Sequence, residues 1–251
     1  MITIVMMYLR SGYGILRLFL LLLLLCGGAP CYADDPPPLC TGKDIAPPEI
    51  STLVTEQKTA FHNSLDENGL TGFALQQSHI KDRFEHMPLS AGDAYITGLA
   101  SGGFTLTYTP AYTDSLDPVT GQPCRLLKKI DITVQLNPQI YIASNYQTDS
   151  CWYRLIFDHE QKHLQTDRLI AVYYARQIKQ AVTFMFDDPQ DKNTANNMDG
   201  WTEGNLKSSL DNILNGMFRN MAAERRFEQD KIDNDEGYLD TDGMCAPLPP
   251  E

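Results

Sequence analysis

The sequence predicts an α+β domain in which a small antiparallel sheet packs on two long antiparallel helices. Two observations carry this prediction. Residues 104–143 contain short alternating or β-branched runs, which are typical of strands. From residue 150 onward, two long stretches place apolar side chains at steps of three or four, and this spacing forms one face of an α-helix.

The first 33 residues have the layout of a secretory signal peptide. Arg10 and Arg17 precede an unbroken apolar run over residues 18–25, and small residues follow up to a cleavage point after Ala33. The apolar run has about 8 residues, whereas a membrane-spanning helix needs roughly 20. We therefore expect no membrane span in the mature chain, and a periplasmic or secreted protein.

The remaining chain is acidic. The full sequence has 20 Lys and Arg against 32 Asp and Glu, a formal net charge of −12 at pH 7. Such a surface repels phosphate backbones, so we expect no nucleic-acid partner. Residues 34–48 are rich in proline and predict an extended tail, and residues 49–251 have the size of a single domain. The sequence sets no oligomeric state.

The first elements after the tail are a helix and then strands. Helical spacing of apolar residues over 51–66, closed by Asn68-Gly69, predicts an amphipathic helix. Glycine, threonine and tyrosine dominate residues 70–120, which predicts strand and loop. Residues 104–108 alternate strictly before Pro110 and form the clearest strand there.

A hairpin is predicted in the middle of the chain. Two β-rich runs, residues 130–136 and 140–143, flank Asn137-Pro138-Gln139, and proline suits the second position of a type I turn. Residues 140–143 would hold an extended peptide by β-augmentation if they lie at a sheet edge.

Four cysteines remain after the signal peptide, namely Cys40, Cys124, Cys151 and Cys245. Because no pair has the C-x-x-C spacing of a redox or zinc motif, we expect two structural disulfides. Cys124 and Cys151 are equally far from the predicted turn, so a hairpin would bring them together. That pairing leaves Cys40 to bond with Cys245.

A single helix of about 36 residues is predicted after Asp149-Ser150, because no proline or glycine interrupts the pattern before Asp188-Pro189. One stripe of this helix contains Trp152, Ile156, His159, His163, Asp167, Ile170, Tyr174, Ile178, Ala181 and Met185. A polar loop over residues 187–200 then precedes a second helix from about Thr202 to Asp233.

The first long helix contains an H-E-x-x-H motif from His159 to His163. Histidines four residues apart lie on one side of a helix, about 6 Å from each other, and can bind one Zn²⁺. Glu160 can reach a water on the zinc and act as general base. Both histidines fall in the apolar stripe, where imidazoles need partners to replace lost hydration, and this favours a metal over two isolated histidines.

A third zinc ligand must come from elsewhere in the chain, because the metzincin pattern would place a histidine where Leu169 stands. If the long helices pack antiparallel, counting outward from their loop puts the motif opposite residue 227. Glu228 is our first candidate, Glu224 the second and Glu236 the third. Alternatively, these carboxylates pair with neighbouring arginines or face water.

Asp167 lies one further turn along the same face as His163. Its carboxylate is a candidate to accept the spare ring N–H of His163 or to bind the metal itself. An ordinary solvated aspartate is the alternative.

These features resemble the predicted secreted zinc-dependent proteases of bacteria, a family with an H-E-x-x-H helix. The likeness runs from residues 140–143, through Asp149-Ser150-Cys151 and Asp158–His163 with Asp167, to Ile232-Asp233 and Tyr238, and covers roughly the latter half of the chain. The resemblance implies a zincin-like, metalloprotease-like domain with His159 and His163 as zinc ligands and Glu160 as catalytic base. Some such families supply a histidine as third ligand, but no histidine follows His163 here, so either a carboxylate replaces it or the site is incomplete.

The sequence therefore supports two hypotheses. The first is an exported zinc-dependent hydrolase, a peptidase acting on a peptide or protein substrate through Glu160. The second is a non-catalytic envelope protein whose helical pair binds a partner, with a structural metal or none.

Overall fold

The computed structural model describes residues 37–40, 45–76, 95–118, 120–187, 202–235 and 245. The elements, in chain order, are β1 (Glu49–Glu56), β2 (Ala60–His62), α1 (Glu67–Ala74), β3 (Gly98–Ser101), β4 (Phe104–Leu116), β5 (Pro123–Leu136), β6 (Gln139–Ile142), α2 (Cys151–Asp187) and α3 (Glu203–Asp235). This set of helices and strands confirms the α+β class. The predicted signal peptide lies outside the described residues.

No helix in the described ranges combines the length and the apolarity that crossing a membrane requires.

The strands form two three-stranded sheets with the same arrangement. Sheet A has the order β1-β5-β4 and sheet B the order β2-β6-β3. In each sheet the central strand pairs parallel with one neighbour and antiparallel with the other. Both sheets are therefore mixed, which corrects the predicted antiparallel sheet.

The two sheets meet at a bend that interrupts all three strands at one level. Backbone hydrogen bonds continue through it: Gln57 donates to the Leu136 carbonyl at 2.9 Å, and Ala60 donates to the Pro138 carbonyl at 3.1 Å. On the other side, Asn137 donates to the Gly103 carbonyl at 3.0 Å. Gly102 has φ +110°, and a Cβ there would lie 2.0 Å from the Asn137 carbonyl oxygen.

The hairpin predicted at Asn137-Pro138 is therefore wrong. Strand β6 does not pair with β5 but continues from it into the neighbouring sheet. Proline has no N–H to donate and so breaks a ladder of hydrogen bonds. Because the flanking strands are interrupted beside it, the break produces a bend instead of a reversal.

The presence of two disulfides is confirmed, but their pairing is not the predicted one. Cys40 bonds with Cys124, and Cys151 bonds with Cys245. Cys124 lies at the start of β5, and Cys151 follows β6. Because β6 continues from β5 and each strand rises about 3.3 Å per residue, these two cysteines lie far apart. Two structural disulfides are compatible with an extracellular or periplasmic compartment.

The predicted tail pairs with sheet A near the start of β5. Leu39 forms a parallel bridge with Arg125 and is 2% exposed, and the Cys40 N–H donates to the Arg125 carbonyl at 2.9 Å. The disulfide from Cys40 to Cys124 joins residues 84 positions apart. By loop entropy such a link contributes on the order of 4 kcal/mol.

The helix predicted over residues 51–66 is wrong, because this segment forms β1 and β2. The run from Ser51 to Thr55 is rich in β-branched residues, and parallel pairing with β5 overrides its helical spacing. Helix α1 begins just after it, and the Asp66 side chain accepts a hydrogen bond from the Gly69 N–H at 2.7 Å.

Strand β4 is confirmed over residues 104–108 and extends to Leu116. It includes Pro110, which an edge strand tolerates because one side of its backbone needs no ladder partner.

The two long helices are confirmed in extent, at 37 residues for α2 and 33 for α3. Helix α2 joins two apolar clusters. Its N-terminal half packs with sheet B and α1 in a cluster that contains Leu70, Ile140, Ile142, Ala143, Tyr146, Ile156 and Leu164. Its C-terminal half packs with sheet A and α3 in a larger cluster that includes Ile132, Val134, Ile178, Val182, Leu206 and Leu210. The H-E-x-x-H motif lies between Ile156 and Leu164, within the half of α2 that packs on sheet B.

We expect Gly102→Ala to lower the free energy of unfolding by at least about 2 kcal/mol, because the new Cβ meets a carbonyl oxygen at a backbone conformation that L-residues rarely adopt. Urea denaturation measures this change. Gly103→Ala is the matched control, since a Cβ at Gly103 meets nothing within 4 Å. Equal stabilities of the two variants would show that the bend does not depend on Gly102.

Candidate metal centre

Two imidazoles and one carboxylate converge between α2 and α3. His159 and His163 lie one turn apart on α2, with ring centroids 4.7 Å apart. Asp233 comes from the last turn of α3. Its Oδ1 lies 3.1 Å from His159 Nε2 and 2.9 Å from His163 Nε2, and the two Nε2 atoms are 3.0 Å apart. Three donor atoms therefore form a nearly equilateral triangle.

This donor set fits a zinc ion. Nitrogen and carboxylate oxygen ligands bind Zn²⁺ at roughly 2.0–2.2 Å, so a tetrahedral ion separates its ligand atoms by about 3.3 Å. The observed spacing of 2.9–3.1 Å needs only a small outward movement of the side chains. Among the described residues, no further histidine, cysteine or carboxylate joins this group, whose ligand atoms lie within 4.8 Å of one another.

The three converging groups are largely buried. His163 is 5% exposed, and the side chains of His159 and Asp233 are 12% and 13% exposed. Within the described part of the chain, His163 Nδ1 has no hydrogen-bond partner. A bound cation would engage the lone pairs of both Nε2 atoms and of the carboxylate at once.

No protein-family model, curated protein or solved structure matches this chain. Any function assigned to this site therefore has to be argued from the residues and geometry of this chain.

Glu160 faces sheet B, on a side of α2 adjacent to that of the histidines. It is 1% exposed, and it packs against Gly98 at the start of β3. A Cβ at Gly98 would lie 2.6 Å from Glu160 Oε1 and 2.4 Å from the Ile156 Cγ2 methyl group. Only glycine allows the β3 backbone to approach α2 so closely.

Asp167 is buried at 6% exposure and binds α3 instead of the imidazole. Arg225 donates to it in a bidentate arrangement, with Nε to Oδ1 at 2.8 Å and Nη2 to Oδ2 at 3.0 Å. Gln229 Nε2 donates to Asp167 Oδ1 at 2.8 Å and lies 3.2 Å from the His163 carbonyl oxygen. The predicted bond between Asp167 and the His163 ring is not formed.

The group of ligand atoms that converges in the described residues contains Asp233 and not the predicted third ligands, Glu228 and Glu224. At 100° per residue, Glu228 lies about 140° and Glu224 about 180° around α3 from Asp233. Burial and then the Glu224 carboxylate raise the pKa of Tyr174, a residue about 16 Å along α2 from His163. Glu236, the third candidate, lies outside the described residues.

The spacing of residues along α3 allows Asp233 to be found from Met221. Met221 is buried, and steps of four residues from it reach Arg225, Gln229 and Asp233 in turn. The sequence prediction instead followed a step of three from Met221 to Glu224 and continued to Glu228. The antiparallel arrangement of the helices was expected. The predicted register placed residue 227 opposite the motif, less than two helical turns from Asp233.

We expect the chain to bind one zinc ion, and Asp233→Ala, His159→Ala and His163→Ala each to weaken that binding by about 100-fold or more, because each removes a donor atom from a three-ligand site. Competition with a chromogenic chelator measures the dissociation constants, and circular dichroism checks folding. Glu224→Ala and Glu228→Ala are matched controls on the same helix. Unchanged affinity in Asp233→Ala, or a comparable loss in Glu228→Ala, would contradict this ligand set.

Proposed function

We propose that this protein is a zinc-dependent hydrolase that cleaves peptide bonds. The observation that carries the proposal is the convergence of His159, His163 and Asp233, with the buried Glu160 next to His159 in the sequence of α2. An exported metalloprotease-like domain agrees with the resemblance drawn from the H-E-x-x-H motif.

The residues divide into two roles. His159 and His163 with Asp233 would hold the metal, which when bound polarises a carbonyl oxygen and acidifies a coordinated water to a pKa of about 7. Glu160 acts as general base, its carboxylate oxygen accepting a proton from the attacking water. The same carboxyl group then delivers this proton to the nitrogen of the departing amine.

The number of converging ligands matches that of a catalytic zinc site. Structural zinc sites have four protein ligands, whereas catalytic sites have three and leave one position open. The group found among the described residues has three.

The position of β3 supports a peptide as substrate. The strand that was expected to add a peptide, residues 140–143, is β6, and it lies at the centre of sheet B with a neighbour on each side. Within the described residues, β3 is instead an edge strand, and its first residue touches Glu160. An extended peptide that pairs with β3 would bring its backbone to the base, because edge strands bind peptides through main-chain hydrogen bonds.

We expect Glu160→Gln to retain zinc but to lose about 10²–10⁴-fold in peptide hydrolysis, because it removes the proton acceptor and leaves the ligands. Mass spectrometry of a digested peptide library measures cleavage by the mature chain. Asp158→Asn, an equivalent change at an exposed neighbour on α2, is the control. Full activity in Glu160→Gln would remove the assigned base, and a zinc-loaded wild type that cleaves no peptide would favour the structural-metal alternative.

Gly98→Ala tests the packing of the edge strand on the base. We expect kcat to fall by roughly tenfold or more with zinc affinity unchanged, because the new methyl group displaces the Glu160 carboxylate. Parallel measurements of kcat and of the zinc dissociation constant separate the two effects. Gly103→Ala, where a Cβ has open space, should match the wild type, and equal kcat for the two variants would exclude this role of Gly98.

A further inference from the structure

We propose that Asp167, Arg225 and Gln229 form a helix latch that sets the register of α3 against α2 and so positions Asp233 for the metal. The inference rests on the proposed metal site. It assigns a positioning role to residues that do not touch the ion.

The latch joins the two helices through a buried, charge-assisted network. Asp167 accepts hydrogen bonds from two nitrogens of Arg225 and from the amide of Gln229, all at 2.8–3.0 Å. The side chains of Arg225 and Asp167 are 17% and 9% exposed. Bidentate pairing of a guanidinium with a carboxylate fixes both distance and orientation, which a single hydrogen bond does not.

The contacts advance in step along both helices. Asp167 meets Arg225, the backbone of His163 meets Gln229, and His159 meets Asp233. Each step moves four residues towards the N-terminus of α2 and four towards the C-terminus of α3. The latch and the metal ligand therefore lie on one continuous stripe of α3.

The metal site is sensitive to this register because Asp233 is its sole ligand from α3 among the described residues. A slip of one residue in α3 would shift Asp233 by 1.5 Å and rotate it by 100°. Gln229 adds a second constraint, since its amide contacts both the Asp167 carboxylate and the carbonyl of the ligand His163. The latch thus links the turn that carries one ligand to the turn that carries another.

A neighbouring ion pair provides a matched comparison. Arg168 follows Asp167 on α2 and donates in a bidentate arrangement to Glu56 on β1, with Nε to Oε2 at 2.9 Å and Nη2 to Oε1 at 2.7 Å. Loss of that pair removes one polar contact between α2 and sheet A and leaves the contacts between α2 and α3 in place. It therefore separates a general loss of stability from a loss of helix register.

The test measures zinc affinity and urea stability of the metal-free protein for Asp167→Ala, Arg225→Ala, the double variant and Arg168→Ala. We expect each latch variant to weaken zinc binding by about 10- to 100-fold, as outer contacts of metal sites do. The double variant should resemble the single variants, because both remove one shared interaction. Arg168→Ala should change zinc affinity by less than about threefold.

Asp167→Ala and Arg225→Ala each leave a buried charge without its partner. If these variants do not fold, Gln229→Ala provides the test, because it removes two hydrogen bonds and leaves the Asp167 pair with Arg225. We expect it to weaken zinc several-fold and to alter the visible spectrum of the cobalt-substituted protein. Unchanged affinity in every folded latch variant, or an equal loss in Arg168→Ala, would overturn the latch while leaving the metal site intact. A wild-type chain that binds no zinc would overturn both proposals.

Discussion

The antiparallel contact between α2 and α3 is the interaction on which the candidate metal site depends. One helix contributes His159 and His163, the other contributes Asp233, and neither holds three ligands by itself. Apolar packing of α3 against the C-terminal half of α2 brings the helices together. The polar contacts from Asp167 to Asp233 then determine which residues face each other at the opposite end. Non-directional burial thus supplies the association, and directional hydrogen bonds supply the alignment.

The rest of the fold holds α2 in place along its length. Sheet A packs on its C-terminal half and sheet B on its N-terminal half. At the bend near Gly102 and Pro138, the strands of one sheet continue into the strands of the other. The Cys151–Cys245 disulfide joins the first residue of α2 to the chain beyond α3. The proposed base, Glu160, is buried against Gly98 of the edge strand β3, and the proposed metal ligands lie where α2 meets α3.

Features that depend on nearby residues were predictable from the sequence, and features that depend on distant pairing were not. The long helices follow from apolar spacing sustained over many turns, and two histidines four residues apart face one side of any helix. The segment from Ser51 to Thr55 has helical spacing and β-branched composition together, and only its partner β5 decides between them. Asn137-Pro138 fits either a reversal or a bend, so the disulfide pairing inferred from a reversal was wrong as well. The third ligand required the register between two helices, which counting from the loop could approach only to within two turns.

The decisive measurement is anomalous X-ray diffraction at the zinc absorption edge, from crystals of the zinc-loaded protein. We expect one strong peak between α2 and α3, about 2.0–2.2 Å from His159 Nε2, His163 Nε2 and Asp233 Oδ1. A peak bound by Glu224 or Glu228, or the absence of any peak beside the two histidines, would contradict it.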